Sequence, residues 1–135
     1  MERQYEHIAV IPCRAGSKRF PGKNRAMFDG VELWRRTVHT ALRGGVDRVI
    51  VNTDDEKIIN KIIYEDNFEY YERPEHLRDG KSYRIDDVLV EMVKTLKLEN
   101  DIIHLIQCTS PFIRHFDIED AIEMLDCQDD FDSVQ

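Results

Sequence analysis

Short continuous apolar runs alternate along this chain with stretches whose apolar residues recur every three or four positions. Ile8–Ile11 is one such run, of the length and character of a buried parallel strand. From Val31 to Leu42 the period changes. Trp34, Val38, Ala41 and Leu42 recur at helical spacing, and Gly44-Gly45 supplies the stop. Val49–Val51 predicts a second strand, and Thr53 with Glu56 has capping-box spacing, predicting a helix to about Asp66. Phe68–Tyr71 predicts a third, shorter strand, and Asp86–Leu98 an amphipathic helix through Leu89, Val93 and Leu96. Ile102–Ile106 predicts a buried strand. Asp117 predicts the cap of a helix carrying Ile118, Ala121, Ile122 and Leu125, and Phe131–Gln135 reads as the start of a further strand.

Alternating strands and helices imply an α/β fold: a mostly parallel sheet, right-handed crossovers and helices on both faces. In such sheets ligands bind beyond the carboxyl ends of the strands. The segments Arg14–Asn24, Thr53–Asp55 and Gln107–Pro111 each follow a predicted strand directly. They are expected to meet on one edge.

Composition narrows the function classes. The 135 residues make one domain, and 41% hydrophobic with 34% charged residues is ordinary for a water-soluble chain. No apolar run approaches the roughly 20 residues of a membrane helix, and Met1-Glu2-Arg3-Gln4 carries no signal-peptide core. The expected location is the cytoplasm, with no membrane partner. A net charge of −8 argues against a nucleic-acid partner. Three cysteines without a Cys-x-x-Cys pair do not make a disulfide scaffold, so Cys13, Cys108 and Cys127 read as small buried residues. Five scattered histidines give no zinc spacing, and Asp54-Asp55 reads as helix capping rather than as a magnesium site. No metal-ligating residue is assigned.

Against that acidic background, Arg14, Lys18, Arg19 and Lys23 crowd the loop after the first strand, with Gly16 and Gly22 and with no acid among them. Fixed positive charge and free backbone N–H groups at a strand end suit a polyphosphate. Five residues separate Gly16 from Gly22 and Asn24 follows Lys23, so this is not a Walker loop. Two glycines with Pro21 between them do not make a dinucleotide fingerprint either.

The segment Cys13-Arg14-Ala15-Gly16-Ser17-Lys18, then Pro21, then Lys23-Asn24, resembles the opening of the cytidylyltransferases that activate acidic sugars, the N-acylneuraminate (CMP-sialic acid synthetase-like) family and its pseudaminic and legionaminic relatives. Cys13 stands where that family usually has alanine. Val49-Ile50-Val51-Asn52-Thr53-Asp54-Asp55, Arg73-Pro74-Glu75-His76-Leu77 and Leu105-Ile106-Gln107-Cys108-Thr109-Ser110-Pro111 resemble later family segments in the same order, with Cys108 in place of a proline. The fold implied is the three-layer, Rossmann-like sheet of nucleotide-diphospho-sugar transferases. The chain resembles only the N-terminal part of that catalytic domain. The family's later part supplies metal-binding aspartates, much of the sugar pocket and a dimerisation arm.

By this resemblance, Arg14 and Lys18 hold the β- and γ-phosphates of CTP and Lys23 the α-phosphate, making Arg14 and Lys23 the catalytic candidates. Ala15, Ser17, Asn24 and Arg73 complete the nucleotide-binding set, and Gln107 is the candidate for sugar hydroxyls. Arg19 matches no family position and reads as solvated. Magnesium is expected with CTP, held mainly by phosphates. The partners implied are CTP and an acidic sugar, with homodimerisation open. Segment Arg78–Tyr83 departs most from the family: an ungapped match puts Gly80 where an aspartate belongs, leaving either Asp79 in that place or a different nucleotide recognition. Arg19-Phe20-Pro21-Gly22-Lys23 also resembles the octulosonate-activating sister family. Two alternatives stand beside a sugar-activating enzyme: a nucleotide-binding remnant without turnover, and a non-enzymatic assembly subunit. With the chain ending at Gln135, little turnover is expected of it alone.

Overall fold

The computed structural model describes residues 4–16, 22–109 and 112–127. Four strands form one parallel sheet: β1 (His7–Cys13), β4 (Arg48–Thr53), β5 (Glu69–Glu72) and β6 (Ile102–Leu105). Their spatial order is β5-β4-β1-β6. Every pair is parallel, with Ile8 opposite Arg48 and Ile103, and Ile50 opposite Glu69. The connecting helices are α1 (Leu33–Arg43), α2 (Glu56–Ile62) and α3 (Ile85–Leu96), and α4 (His115–Cys127) follows β6.

Two-residue alternation along the central strands sends their apolar side chains to opposite faces. Ala9, Ile11, Cys13, Val49 and Val51 join Trp34, Val38 and Ala41 of α1, Ile58 and Ile62 of α2, and Ile118 of α4. Ile8, Val10 and Ile50 join Met92 of α3 and Leu98. Each fully buried aliphatic side chain contributes about 1.5–3 kcal/mol. The three-layer expectation therefore holds, with three helices on one face and α3 on the other.

Several boundaries differ from the sequence expectation. Val31 does not open a helix. It pairs with Phe28 in a hairpin of β2 (Met27–Phe28) and β3 (Val31–Glu32). The turn residues Asp29 and Gly30 have φ of 52° and 80°, the two positive values of a type I′ turn. Thr53 does not cap α2, which stops at Ile62 rather than Asp66. Asp55 is the cap, its Oδ1 accepting from Lys57 N at 3.0 Å. Asp117 lies inside the first turn of α4 and accepts there from Arg114 N at 2.9 Å, the inward half of a capping box. β6 is only partly buried, because among the described residues it is an edge strand. Cys127 is exposed, unlike Cys13 and Cys108. The predicted strand Phe131–Gln135 lies outside the described residues.

Candidate functional site

Because the sheet is wholly parallel, the carboxyl ends of its strands share one edge. There β1 delivers Arg14, β5 delivers Arg73, and β6 delivers Gln107. A cleft of about 250 Å³ lies between them, lined among others by Arg14, Lys23, Asn24, Arg73, Tyr83 and Gln107. The convergence expected from the sequence is present.

Three cations face this cleft, and none pairs with a carboxylate among the described residues. Elsewhere pairing is common: Arg25 bonds Asp55 at 2.8 Å, Arg35 bonds Glu65 at 3.0 Å, and Arg48 bonds Glu69 at 2.5 Å. Lys61 pairs with Glu32, and Arg78 approaches Glu72 at 3.8 Å. Arg14, Lys23 and Arg73 are the contrast. Their positive charge meets no carboxylate among the described residues.

Arg73 carries this furthest, since it is only 3% exposed. Its backbone N–H donates to Thr53 O at 3.0 Å, continuing the β4–β5 ladder by one bond. Its guanidinium donates from Nε to Asn52 Oδ1 at 3.0 Å, and from Nη1 to the Tyr83 hydroxyl at 3.2 Å and Leu77 O at 3.4 Å. All three acceptors are neutral. Burying a guanidinium without a counter-charge is costly unless an anion completes the site. The amide nitrogen of Asn52 is buried, with no hydrogen-bond partner among the described residues.

Tyr83 was not foreseen as a site residue. Its hydroxyl accepts from Arg73 and from Gly80 N, each at 3.2 Å, which leaves its own proton to donate. The segment around it is shaped by Asp79, whose Oδ1 accepts from Lys81 N at 2.8 Å and Ser82 N at 3.0 Å while Oδ2 accepts from Ser82 Oγ at 2.6 Å. The Ser82 hydroxyl, and then the backbone donors, pull the Asp79 carboxyl down to about 2. Asp79 thus builds its own exposed turn, and the cleft is lined there by Gly80 and Tyr83. Nothing in the sequence pairs Tyr83 with Arg73. Their meeting depends on the turn at Glu75–Leu77 that folds one onto the other.

The loop after β1 is fixed from below. Thr53 Oγ1 donates to Cys13 O at 2.6 Å and accepts from Asp55 N at 2.9 Å. Ala15 N donates to Asp54 Oδ1 at 2.9 Å, so this predicted site residue spends its N–H on the protein. Asn24, buried at 6% exposure, donates from Nδ2 to Arg14 O at 3.2 Å and closes the loop across its span. Arg14 Nη1 bonds Gly16 O. Gly22, at φ 72°, turns the chain into the short 3-10 turn Lys23–Arg25 that presents Lys23. Gln107 is exposed at the opposite rim. Ser17, Lys18, Arg19, Ser110 and Pro111 lie outside the described residues.

Magnesium, expected with CTP, is poorly matched by the described residues. No carboxylate among the described residues lines the cleft. Asp55 is committed to Arg25 and Lys57, and Asp54 to Ala15. No group of three His, Cys, Asp or Glu among the described residues could hold a metal ion. These residues do not fit a protein-held divalent ion. Nor is any described helix long and apolar enough to cross a membrane.

Known proteins resemble this chain in sequence and in fold. The chain is 33% identical over 120 residues to the CMP-N,N'-diacetyllegionaminic acid synthase of Legionella pneumophila, covering 87% of this chain and 52% of that one. It is 35% identical over 119 residues to the 3-deoxy-manno-octulosonate cytidylyltransferase of Maricaulis maris, covering 87% and 44%. The solved CMP:2-keto-3-deoxy-manno-octonic acid synthetase complexed with CTP superposes with a TM-score of 0.70 at 29% identity, over 90% of this chain and 48% of that one. The chain thus spans about half the length of the relatives it matches. A cytidylyltransferase family profile matches residues 8–135. This chain belongs to the cytidylyltransferase family.

Proposed function

We propose that the cleft binds CTP and that the chain serves the transfer of its cytidylyl group to an acidic keto-sugar, giving a CMP-sugar and pyrophosphate. One observation carries this reading. Three cations without carboxylate partners among the described residues, one of them almost wholly buried, surround a cleft at the carboxyl edge of a parallel sheet.

In this transfer a sugar hydroxyl oxygen forms a bond to the α-phosphorus while the bond from that phosphorus to the bridging oxygen of pyrophosphate breaks. Charge shifts onto the leaving pyrophosphate, and positioning with electrostatic stabilisation supplies most of the catalysis. Lys23 is assigned to the α-phosphate and Arg14, with Lys18, to the β- and γ-phosphates. Arg suits bidentate phosphate contact and Lys a movable point charge. Asn24 holds the loop in shape. Arg73 and Tyr83 face nucleotide or sugar, and Gln107 is assigned to sugar hydroxyls. Magnesium is assigned to the incoming triphosphate, not to these side chains.

The similarity to both legionaminic and octulosonate enzymes supports the acidic keto-sugar class without choosing within it. The test is CTP-dependent pyrophosphate release with magnesium and a panel of neuraminate-like and octulosonate acids, alongside equilibrium binding of the four nucleoside triphosphates. Binding selective for CTP supports the nucleotide assignment. Release that requires one of the acids supports the transfer. Failure to bind any triphosphate overturns both and leaves the assembly-subunit alternative.

A further inference from the structure

Beneath the cleft the sequence places two thiols where the sheet brings them together. The β1–β6 register runs from His7 opposite Ile102 to Val10 opposite Leu105. Carried three residues further, it sets Cys13 opposite Cys108. The next rung of the ladder is also made, Ile106 N donating to Val10 O at 3.0 Å. The two sulfurs face each other at 3.5 Å. Cys13 is the last residue of β1, and Cys108 lies three residues past Leu105, in the turn that follows β6.

Both cysteines are buried, Cys108 at 2% and Cys13 at 0% exposure, but they stand differently to the cleft. Cys108 lines the cleft, whereas Cys13 sits behind it, fully buried in the core. A small reagent entering the cleft meets Cys108 first. Cys127, at the end of α4, is exposed and far along the chain, and it has no such neighbour among the cysteines described.

We propose that Cys13 and Cys108 are a modification site, a dithiol that a peroxide entering the cleft converts to a cross-strand disulfide. In the first step the Cys108 sulfur attacks one peroxide oxygen. The O–O bond breaks, a sulfenic acid forms on Cys108, and the other oxygen leaves as water after taking a proton. In the second step the Cys13 sulfur attacks the Cys108 sulfur. The S–S bond forms, and the sulfenic oxygen leaves as a second water, taking the Cys13 proton. Two thiols are oxidised by two electrons in all, and one peroxide is reduced to two waters. The surroundings suit this order. Hydrogen-bond donation between the two thiols lowers the pKa of Cys108, against burial, which raises it, and Thr37 and Lys23 lower it further. That donation, with burial, raises Cys13, which keeps its proton until the second step.

Forming the bond draws the sulfurs from 3.5 Å to about 2.05 Å. Cys13 immediately precedes Arg14, and Cys108 lies between Gln107 and Thr109, so both rims of the cleft shift with it. The consequence for ligand binding rests on the CTP assignment above: the oxidised chain is expected to bind CTP at least tenfold more weakly, reversed by dithiothreitol.

The experiment treats the chain with hydrogen peroxide, maps disulfides by mass spectrometry without reduction, and measures CTP binding before and after. A Cys127→Ser background removes the exposed thiol, and Cys13→Ala on that background removes the dithiol while leaving the cleft lining in place. The expected result is a Cys13–Cys108 link in the first protein, with CTP binding weakened at least tenfold on oxidation and restored on reduction. Cys13→Ala is expected to form no link and to stop at an oxidised Cys108. Failure of the two peptides to link under peroxide overturns the inference, whatever CTP does. A link with unchanged CTP affinity refutes its effect on the cleft. A link in a chain that, reduced, never binds CTP leaves the dithiol standing and overturns the nucleotide assignment.

Discussion

Gly80 offers a substitution in which ligand binding and stability respond differently. A Cβ at this position would lie 2.6 Å from Arg14 Cζ, 2.7 Å from Nη2 and 2.9 Å from Nε. All three atoms are at the far end of a flexible side chain, so Gly80→Ala is expected to move the guanidinium rather than the backbone. Gly80 also has φ of +74°, and a left-handed residue with a side chain costs roughly 1–2 kcal/mol. Gly30 provides the control. It has φ of +80°, and nothing among the described residues lies within 4 Å of a Cβ built there. Gly30→Ala is therefore expected to share the stability loss of roughly 1–2 kcal/mol and to leave binding unchanged. Displacing Arg14 removes a charged phosphate contact worth roughly 1.5–3 kcal/mol. At about 1.4 kcal/mol per decade, Gly80→Ala should bind CTP about tenfold to a hundredfold more weakly. Equilibrium dialysis with labelled CTP, paired with urea unfolding of both variants, measures the two effects separately. Equal CTP affinity in Gly80→Ala and Gly30→Ala would refute the placement of Arg14 at the ligand.

Two other outcomes follow from the site's supports. Asp55→Ala removes the α2 cap and the Arg25 partner and is expected to lower the unfolding free energy by about 1–2 kcal/mol, whereas Asp55→Asn keeps most of the cap; a urea midpoint equal to wild type for the alanine variant would contradict this. The Asp79 carboxyl should titrate at about 2 in the folded chain, with the stability it lends complete above the ordinary carboxylate value of about 3.9 and lost as the pH falls through the folded value. An NMR titration of the Asp79 side chain reads this, and Ser82→Ala should move the midpoint upward.

Much of the fold was legible in the sequence because its two central strands are nearly continuous apolar runs. A helical period follows Ile8–Ile11 and others flank Val49–Val51, and a chain with that alternation has few ways to cover both sheet faces. The shared edge of Arg14, Thr53 and Gln107 followed from parallel topology alone. What was less legible depended on contacts between segments far apart in the chain. Thr53 and Asp55 are both good caps by type; Asp55 wins because Arg25 pairs with it while Thr53 is drawn to Cys13 O. The hairpin at Met27–Glu32 did carry a local signal, Asp29-Gly30 between short apolar stretches, which the helical spacing of the following residues overshadowed. Tyr83 and the Cys13–Cys108 pair carried none. They become site features only when a 3-10 turn folds Tyr83 onto Arg73 and when strand register sets one cysteine against the other.

The central claim is that the cations of the β1 loop hold the phosphates of CTP. Isothermal titration calorimetry of CTP, with wild type and Lys23→Ala side by side, tests it most directly. Lys23 pairs with no carboxylate among the described residues, so its removal breaks no ion pair seen in the fold, and the two proteins should unfold alike. Loss of the charged contact, roughly 1.5–3 kcal/mol, predicts a dissociation constant about tenfold or more higher for Lys23→Ala. Equal affinities in two equally folded proteins would contradict the assignment and remove Lys23 from the site.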